Sequence, residues 1–284
     1  PPVLPPGVEA AVHIESAAPA FAEGQTAAAF GTSDVAVKRF WVLSPTRLLA
    51  NVSVSESAAP GPLLMSITNG LQTSTTPGAL SVQVTGQRTL TLNPSVTNAA
   101  TPQRGVYPGS SAIVTVANAT SLPPVQNLAL ILNDRPLEIA GVQGNQVLFQ
   151  IPSDTTLGPG TLRLDANGDR GLPIAFTVEK APPVIVSVVN SSGEQIDSST
   201  PATLGEILGI KVTGLGDSGS QVAANRVTVD TGGSETQASQ VMVQNGSHLV
   251  VFLVPKSAPT GQQVPVTVSL DGRASTPVPI TIRP

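Results

Sequence analysis

Proline and glycine interrupt this sequence so often that a long helix has nowhere to form. The 284 residues include 27 prolines and 26 glycines. Proline removes a backbone donor and clashes with the preceding helical turn, while glycine loses the most freedom on being ordered, so both belong in turns, strand ends and linkers. Between the interruptions run short stretches of valine, isoleucine, leucine and threonine in which apolar and polar residues alternate. Side chains branched at Cβ suit a pleated surface, and a period of two gives each strand one apolar face. With 40% hydrophobic residues there is material for real cores, and the expected class is all-β.

The alternating runs fall into three copies of one pattern: a strand, a Pro/Gly turn, a second strand, a Gly turn and a closing strand. In the first copy these are Leu48, Ala50, Val52 and Val54; Ala59-Pro60-Gly61; Leu63, Met65 and Ile67; Asn69-Gly70; and Leu80, Val82 and Val84. In the second they are Val147, Phe149 and Ile151; Gly158-Pro159-Gly160; Leu162 and Leu164; Asn167-Gly168; and Ile174, Phe176 and Val178. The third has Leu249, Val251 and Leu253; Ala258-Pro259-Thr260-Gly261; Val266, Val268 and Leu270; Asp271-Gly272; and Val278, Ile280 and Ile282. Gly61, Gly160 and Gly261 recur about every 100 residues, the length of an immunoglobulin-type sandwich. Asn-Gly and Asp-Gly favour type I′ hairpins, which predicts that the last two strands of each copy pair. The expected architecture is three tandem immunoglobulin-like β-sandwich domains over 1–86, 87–181 and 182–284.

An earlier anchor repeats as well: Pro6-Gly7 before Ala10, Val12 and Ile14, Pro108-Gly109 before Ile113 and Val116, and Leu204-Gly205 before Ile207, Leu208 and Ile210. A further strand is expected before it at Leu90 to Val96 and at Val184 to Val189, whereas the first copy has only Pro1 to Pro5 there. The first sandwich is therefore read as lacking its opening strand, with an unpaired edge that invites a donor strand from a neighbour. Joins are expected at Thr85-Gly86-Gln87 and Ala181-Pro182-Pro183.

These copies resemble the IPT/TIG immunoglobulin-like family. The pieces that carry the resemblance are Val42-Leu43-Ser44-Pro45-Thr46-Arg47-Leu48, Ala59-Pro60-Gly61 and Thr68-Asn69-Gly70 in the first copy. In the third they are Ala181-Pro182-Pro183-Val184-Ile185, Leu204-Gly205, Val212-Thr213-Gly214 and Leu270-Asp271-Gly272. The later copies resemble an uncharacterised C-terminal β-domain of secreted soil-bacterial proteins. The second departs most, at Leu132-Asn133-Asp134-Arg135-Pro136. The resemblance implies an architecture and brings no catalytic motif with it.

Composition narrows the function classes further. Only 11% of residues are charged and the formal net charge is -4, so no basic face exists to neutralise phosphates and nucleic acid is not an expected partner. No apolar run reaches the roughly 18 to 20 residues of a membrane helix, and no transmembrane segment is expected. A chain that begins at Pro1 is read as a processed form or a fragment. Cysteine is absent, which removes disulfides, thiolate metal sites and cysteine nucleophiles; this fits a bacterial secreted β-protein and an extracellular or cell-surface location.

No catalytic, cofactor-binding or metal-binding residue is predicted. His13 and His248 lie in different copies without a nearby Ser-carboxylate pattern and are read as ordinary strand or surface residues. Asp165-Ala166-Asn167-Gly168-Asp169 spaces oxygen side chains two apart, but lacks the glycine position and distal Glu of a calcium loop and is read as a hairpin turn. Trp41, beside Phe40, is assigned to the core, with an outward Trp41 or Tyr107 as the sign of a polysaccharide site. Asn51, Asn118, Asn190 and Asn245 each begin an Asn-x-Ser/Thr triplet. The expected function is non-catalytic: a rod of modules for spacing, display or self-assembly, through protein partners or as a filament or sheath subunit. The alternative is an adhesin or carbohydrate-binding accessory module.

Overall fold

The computed structural model describes residues 2–84, 89–100, 105–216 and 220–284. The join expected at Thr85-Gly86-Gln87 lies outside these residues. Among the described residues the only helical pieces are two three-residue 3-10 turns, Val125–Asn127 and Ala224–Arg226; every other regular element is a strand. The chain divides into two compact units, Pro1–Lys180 and Ala181–Pro284.

The first unit contains two cores. Around the first run β1 (Val3–Leu4), β2 (Glu9–Glu15), β3 (Thr26–Ala29), β4 (Val35–Ser44), β5 (Arg47–Val54), β6 (Gly61–Asn69) and β7 (Gln72–Val82). They form sheets of order β1-β7-β6-β3 and β2-β5-β4, whose apolar faces meet at Phe30, Leu48, Ala50, Val52, Leu80 and Val82. Around the second core run β8 (Thr97–Asn98), β9 (Ser111–Thr115), β10 (Leu128–Leu132), β11 (Arg135–Leu137), β12 (Ile139–Gln143), β13 (Gln146–Gln150), β14 (Gly158–Ala166) and β15 (Ile174–Val178). Sheets β11-β10-β14-β15 and β12-β13-β9-β8 enclose Val114, Leu130, Phe149, Leu162, Leu164 and Ile174.

The second unit has β16 (Val184–Val189), β17 (Ala202–Thr203), β18 (Ile207–Thr213), β19 (Val227–Thr231), β20 (Ser234–Gln237), β21 (Gln240–Gln244), β22 (Ser247–Leu253), β23 (Gly261–Leu270), β24 (Arg273–Ala274) and β25 (Val278–Arg283). Sheet β16-β18-β22-β21 faces sheet β17-β25-β23-β19-β20, to which β24 adds by pairing with β23. Each pair of sheets is an immunoglobulin-like sandwich, because neither sheet can bury its apolar face alone.

One backbone bond recurs in every sandwich. Gly7, Gly109 and Gly205 have φ of 78°, 82° and 82°, a region that a side chain at Cβ makes costly. Their N–H groups donate to the carbonyls of Val54, Ile151 and Val254 at 3.1, 2.9 and 3.0 Å. This bond aligns the sandwiches residue by residue. Val52, Phe149 and Phe252 become equivalent, and all are fully buried. Just before the anchor, the chain lies along the last strand: Leu4 is level with Val82 and Ala202 with Ile282, and Glu179 N–H donates to the Val106 carbonyl at 2.7 Å. The first sandwich thus has this short strand at Val3–Leu4. What it lacks beside β2, among the described residues, is a counterpart of β16.

Several sequence expectations shift by a residue or two. In the third copy the buried phase of β22 is His248, Val250 and Phe252, followed by Val254, while Leu253 is half exposed. The segment is apolar in both phases from Leu249 to Val254, so a period of two cannot choose between them. Ile113 and Ile207 are likewise not core residues: Ile113 is half-buried and Ile207 is 56% exposed. Pairing with the last strand begins at Gly61, Gly158 and Gly261, which makes Gly158 rather than Gly160 the recurring glycine. Leu90 to Val96 forms bridges at Thr91 and Leu92 instead of a strand. Val84 is exposed beyond the end of β7. Asn167-Gly168 and Asp271-Gly272 both have positive φ, as a type I′ turn requires. In the first copy Asn69 pairs with Gln72, so the loop is Gly70-Leu71 instead.

Phe252 and Leu253 test the assignment of faces. Phe252→Ala is expected to cost about 3–5 kcal/mol by leaving a cavity, against less than ~1 kcal/mol for Leu253→Ala. Urea unfolding of the full chain, followed by a probe in the second unit, measures both; equal losses would reverse the assigned phase.

Candidate functional site

The sheet β2-β5-β4 has a second face, turned away from the first core. Val54 N–H donates to the Val8 carbonyl at 2.8 Å, and the register continues through Ala10, Val12 and Ile14 opposite Val52, Ala50 and Leu48. Antiparallel bonds alternate, so Glu9, Ala11 and His13 turn their backbone groups away from β5, toward the open edge. At Ala11 that edge is occupied: its N–H donates to the Pro173 carbonyl at 2.6 Å. The edge expected to await a donor strand is already engaged at its middle by the segment entering β15.

Asn51, on the outer face of β5, completes the contact. Its Nδ2 donates to the Ala175 carbonyl at 3.2 Å, and the Ala175 N–H donates to its Oδ1 at 3.1 Å. Asn51 is 6% exposed. A primary amide offers donor and acceptor side by side and meets both backbone groups of one residue, as a neighbouring strand would. Ala11, Leu49 and Ala175 pack around it, with Trp41 against them. Phe40 packs on the first core, so Trp41 belongs to the junction and not to the core assigned from sequence. The Arg39 guanidinium lies 4.7 Å from the centre of the indole ring, a cation–π arrangement. Trp41 itself is half-buried and lines a small open pocket of about 250 Å³ together with Arg39 and Asn51.

The remaining candidates lie apart from the junction contacts. His13 is exposed on β2. His248 is 2% exposed, on the core face of β22, and its Nε2 donates to the Ser220 carbonyl at 2.8 Å; nothing in its sequence surroundings separates this buried position from a surface one. Asp165 accepts from Arg163 Nε at 2.8 Å and from Gly171 N–H at 2.9 Å, and Ala166 and Asp169 exchange backbone bonds at 3.0 and 2.9 Å. That geometry is the expected hairpin turn. Asn118 accepts from Thr91 N–H and donates to the Thr89 carbonyl; Asn190 accepts from Ser192 and Glu194 N–H; Asn245 is exposed in a turn with φ of 47°. Tyr107 is half-buried.

An open groove of about 700 Å³ lies by β11 and β13, lined by Arg135, Glu138, Gln150 and Asp154 among others. Arg135 Nη1 donates to both Asp154 oxygens at 2.8 and 2.9 Å. The Arg135 guanidinium hydrogen-bonded to it holds the Asp154 carboxyl below its ordinary value. Exposed on both sides, this pair is worth little to stability.

No protein family matches the chain, and no curated relative matches it. Solved structures that overlay it include a tandem from titin, 12% identical over 99% of this chain and 96% of that one, with a TM-score of 0.24. SGBP-B of the Bacteroides ovatus mixed-linkage glucan utilization locus, solved with a mixed-linkage heptasaccharide, is 16% identical over 96% of this chain and 64% of its own, with a TM-score of 0.30. An ICAM-5 ectodomain fragment is 12% identical over 99% and 74%, with a TM-score of 0.21. Overlays this loose carry nothing about partner or activity.

Asn51→Ala is expected to destabilise the first unit by about 1–3 kcal/mol, because it leaves the buried Ala175 N–H and carbonyl unpaired. Asn51→Asp is expected to cost at least as much at neutral pH, since a carboxylate accepts from the N–H but repels the carbonyl. Urea unfolding checks both, and a loss under ~0.5 kcal/mol for Asn51→Ala would mean that the junction contributes nothing.

Proposed function

We propose that this chain is a non-catalytic structural or interaction protein of the cell surface or extracellular space, built from three immunoglobulin-like sandwiches over 1–86, 87–181 and 182–284. The observation that carries the reading is the Asn51–Ala175 amide pair, which joins the first two sandwiches into one compact unit. Tandem sandwiches linked only by flexible chain tumble independently; two that share buried hydrogen bonds and an apolar patch hold a fixed spacing. A fixed spacing is what display or scaffolding needs, and it asks for no nucleophile, base or metal. The histidines and the Asp165 turn serve the framework or the surface, which supports the same reading. Among the described residues no helix is long and apolar enough to cross a membrane.

A carbohydrate-binding accessory role is the second reading, and the polar groove beside Arg135 and Asp154 is the observation that favours it. Backbone ¹⁵N relaxation separates structure from looseness: residues 8–82 and 106–178 are expected to report one correlation time in the native chain and two in Asn51→Ala. Independent tumbling in the native chain would remove the spacing role. Glycan-array binding lost in Gln150→Ala, with tumbling unchanged, would move the assignment to the groove.

A further inference from the structure

The outer side of β15 carries a polar group that the described residues leave unsatisfied. Ile174, Phe176 and Val178 point into the second core, so Ala175 and Thr177 face the other way. Asn51 satisfies both backbone groups of Ala175. Two residues on, the Thr177 hydroxyl oxygen is buried and has no hydrogen-bond partner among the described residues. Leaving a buried hydroxyl unpaired is costly, and a folded chain that does so has a group to spare for something outside itself. Thr177 lines the pocket that also holds Trp41, Arg39 and Glu179.

Both sandwiches of the first unit build this pocket. Arg39, Trp41 and Asn51 come from β4 and β5, and Ser95, Thr177 and Glu179 from the second sandwich. The Glu179 N–H donates to the Val106 carbonyl at 2.7 Å, which holds its backbone beside the pocket. A carbon placed on Gly105 would overlap the Glu179 carboxylate, so glycine there leaves the carboxylate its place. Arg39 is held over the indole ring of Trp41. Each sandwich thus brings one charge, of opposite sign, and no ion pair joins the two among the described residues.

An anion in the pocket meets Glu179 and a cation meets Arg39, so a ligand of either sign is opposed from one side. A neutral sugar ring suits both. Each hydroxyl donates and accepts, so neighbouring hydroxyls accept from the guanidinium, donate to the carboxylate and pair with Thr177 Oγ1. The C–H face of the ring supplies apolar contact for the indole. At about 250 Å³ the pocket lies below the ~300–1,000 Å³ of sites for drug-sized ligands, which limits the occupant to a single ring. We propose that this pocket binds one neutral pyranose residue of a carbohydrate. The ligand touches both sandwiches, so its binding strengthens their junction. The site goes beyond the spacing role, rests on the joining of the first two sandwiches, and is separate from the groove beside Arg135.

Trp41 is the sole tryptophan, so its fluorescence reports the pocket directly. The full chain is titrated with the methyl glycosides of glucose, galactose, mannose and N-acetylglucosamine, and at least one is expected to shift that fluorescence with a Kd of about 1 mM. Thr177→Val keeps the side-chain shape and removes the unpartnered hydroxyl, so the urea midpoint is expected to hold while affinity falls about tenfold. Glu179→Gln, at an exposed position, is expected to weaken binding by a similar factor and decides the matter if Thr177→Val does not fold. Gln150→Ala, in the groove, is expected to leave binding unchanged. Tryptophan fluorescence and amide chemical shifts that answer to none of these glycosides, a response to the zwitterion glycine in their place, affinity untouched by Glu179→Gln, or affinity lost in Gln150→Ala overturns the proposal. First sandwiches that tumble together in a chain without such a response overturn the pocket and leave the spacing role standing.

Discussion

A sheet with one apolar face has to be covered, and in a chain without cysteine that covering is the force that holds each sandwich together. It fixes which side of every strand points inward, and through the pleat it fixes what is left on the outside. Strand β5 shows both consequences. Leu48, Ala50 and Val52 fill the first core, and the same alternation sets Leu49 and Asn51 on the opposite side. Because that second side is itself apolar around an amide, it too is covered, by β15. The junction is thus a by-product of one strand being buried on both faces.

The anchor glycine gives this force its geometry. Its positive φ lets the chain turn from the short strand beside the last strand of one sheet into the neighbouring sheet, while its N–H binds the carbonyl at the end of the central strand. With that bond made, the register of β2, β9 and β18 against β5, β13 and β22 follows. A cysteine-free sandwich has no covalent staple, so a repeated backbone bond at the crossover between sheets serves as its common reference point.

Chemistry at the junction obeys the same economy. An asparagine amide is one of the few side-chain groups able to satisfy a backbone N–H and carbonyl at once, which lets β5 and β15 meet without forming a continuous sheet. Trp41 and Arg39 close the margin of that contact. A residue whose sequence context reads as a glycosylation triplet is therefore a buried structural amide, because burial and partner decide its role.

The sequence by itself determined the all-β class, the repeat and the strands whose polar and apolar residues alternate cleanly. Leu162 and Leu164, set between Thr161, Arg163 and Asp165, have only one apolar phase, and a pleat can bury them one way. Type I′ turns at Asn167-Gly168 and Asp271-Gly272 were legible because positive φ at two successive residues is a local demand. Where both phases are apolar, as from Leu249 to Val254, the choice of His248 and Phe252 over Leu249 and Leu253 came only from the opposing sheet. Gln72–Thr76, exposed and polar, carried no alternation to find, although β6 pairs with it. The Asn51–Ala175 contact joins residues 124 positions apart, and no local pattern reports a partner that distant: only the tertiary structure, by bringing β15 onto the outer face of β5, decided that Asn51 and Trp41 are junction residues.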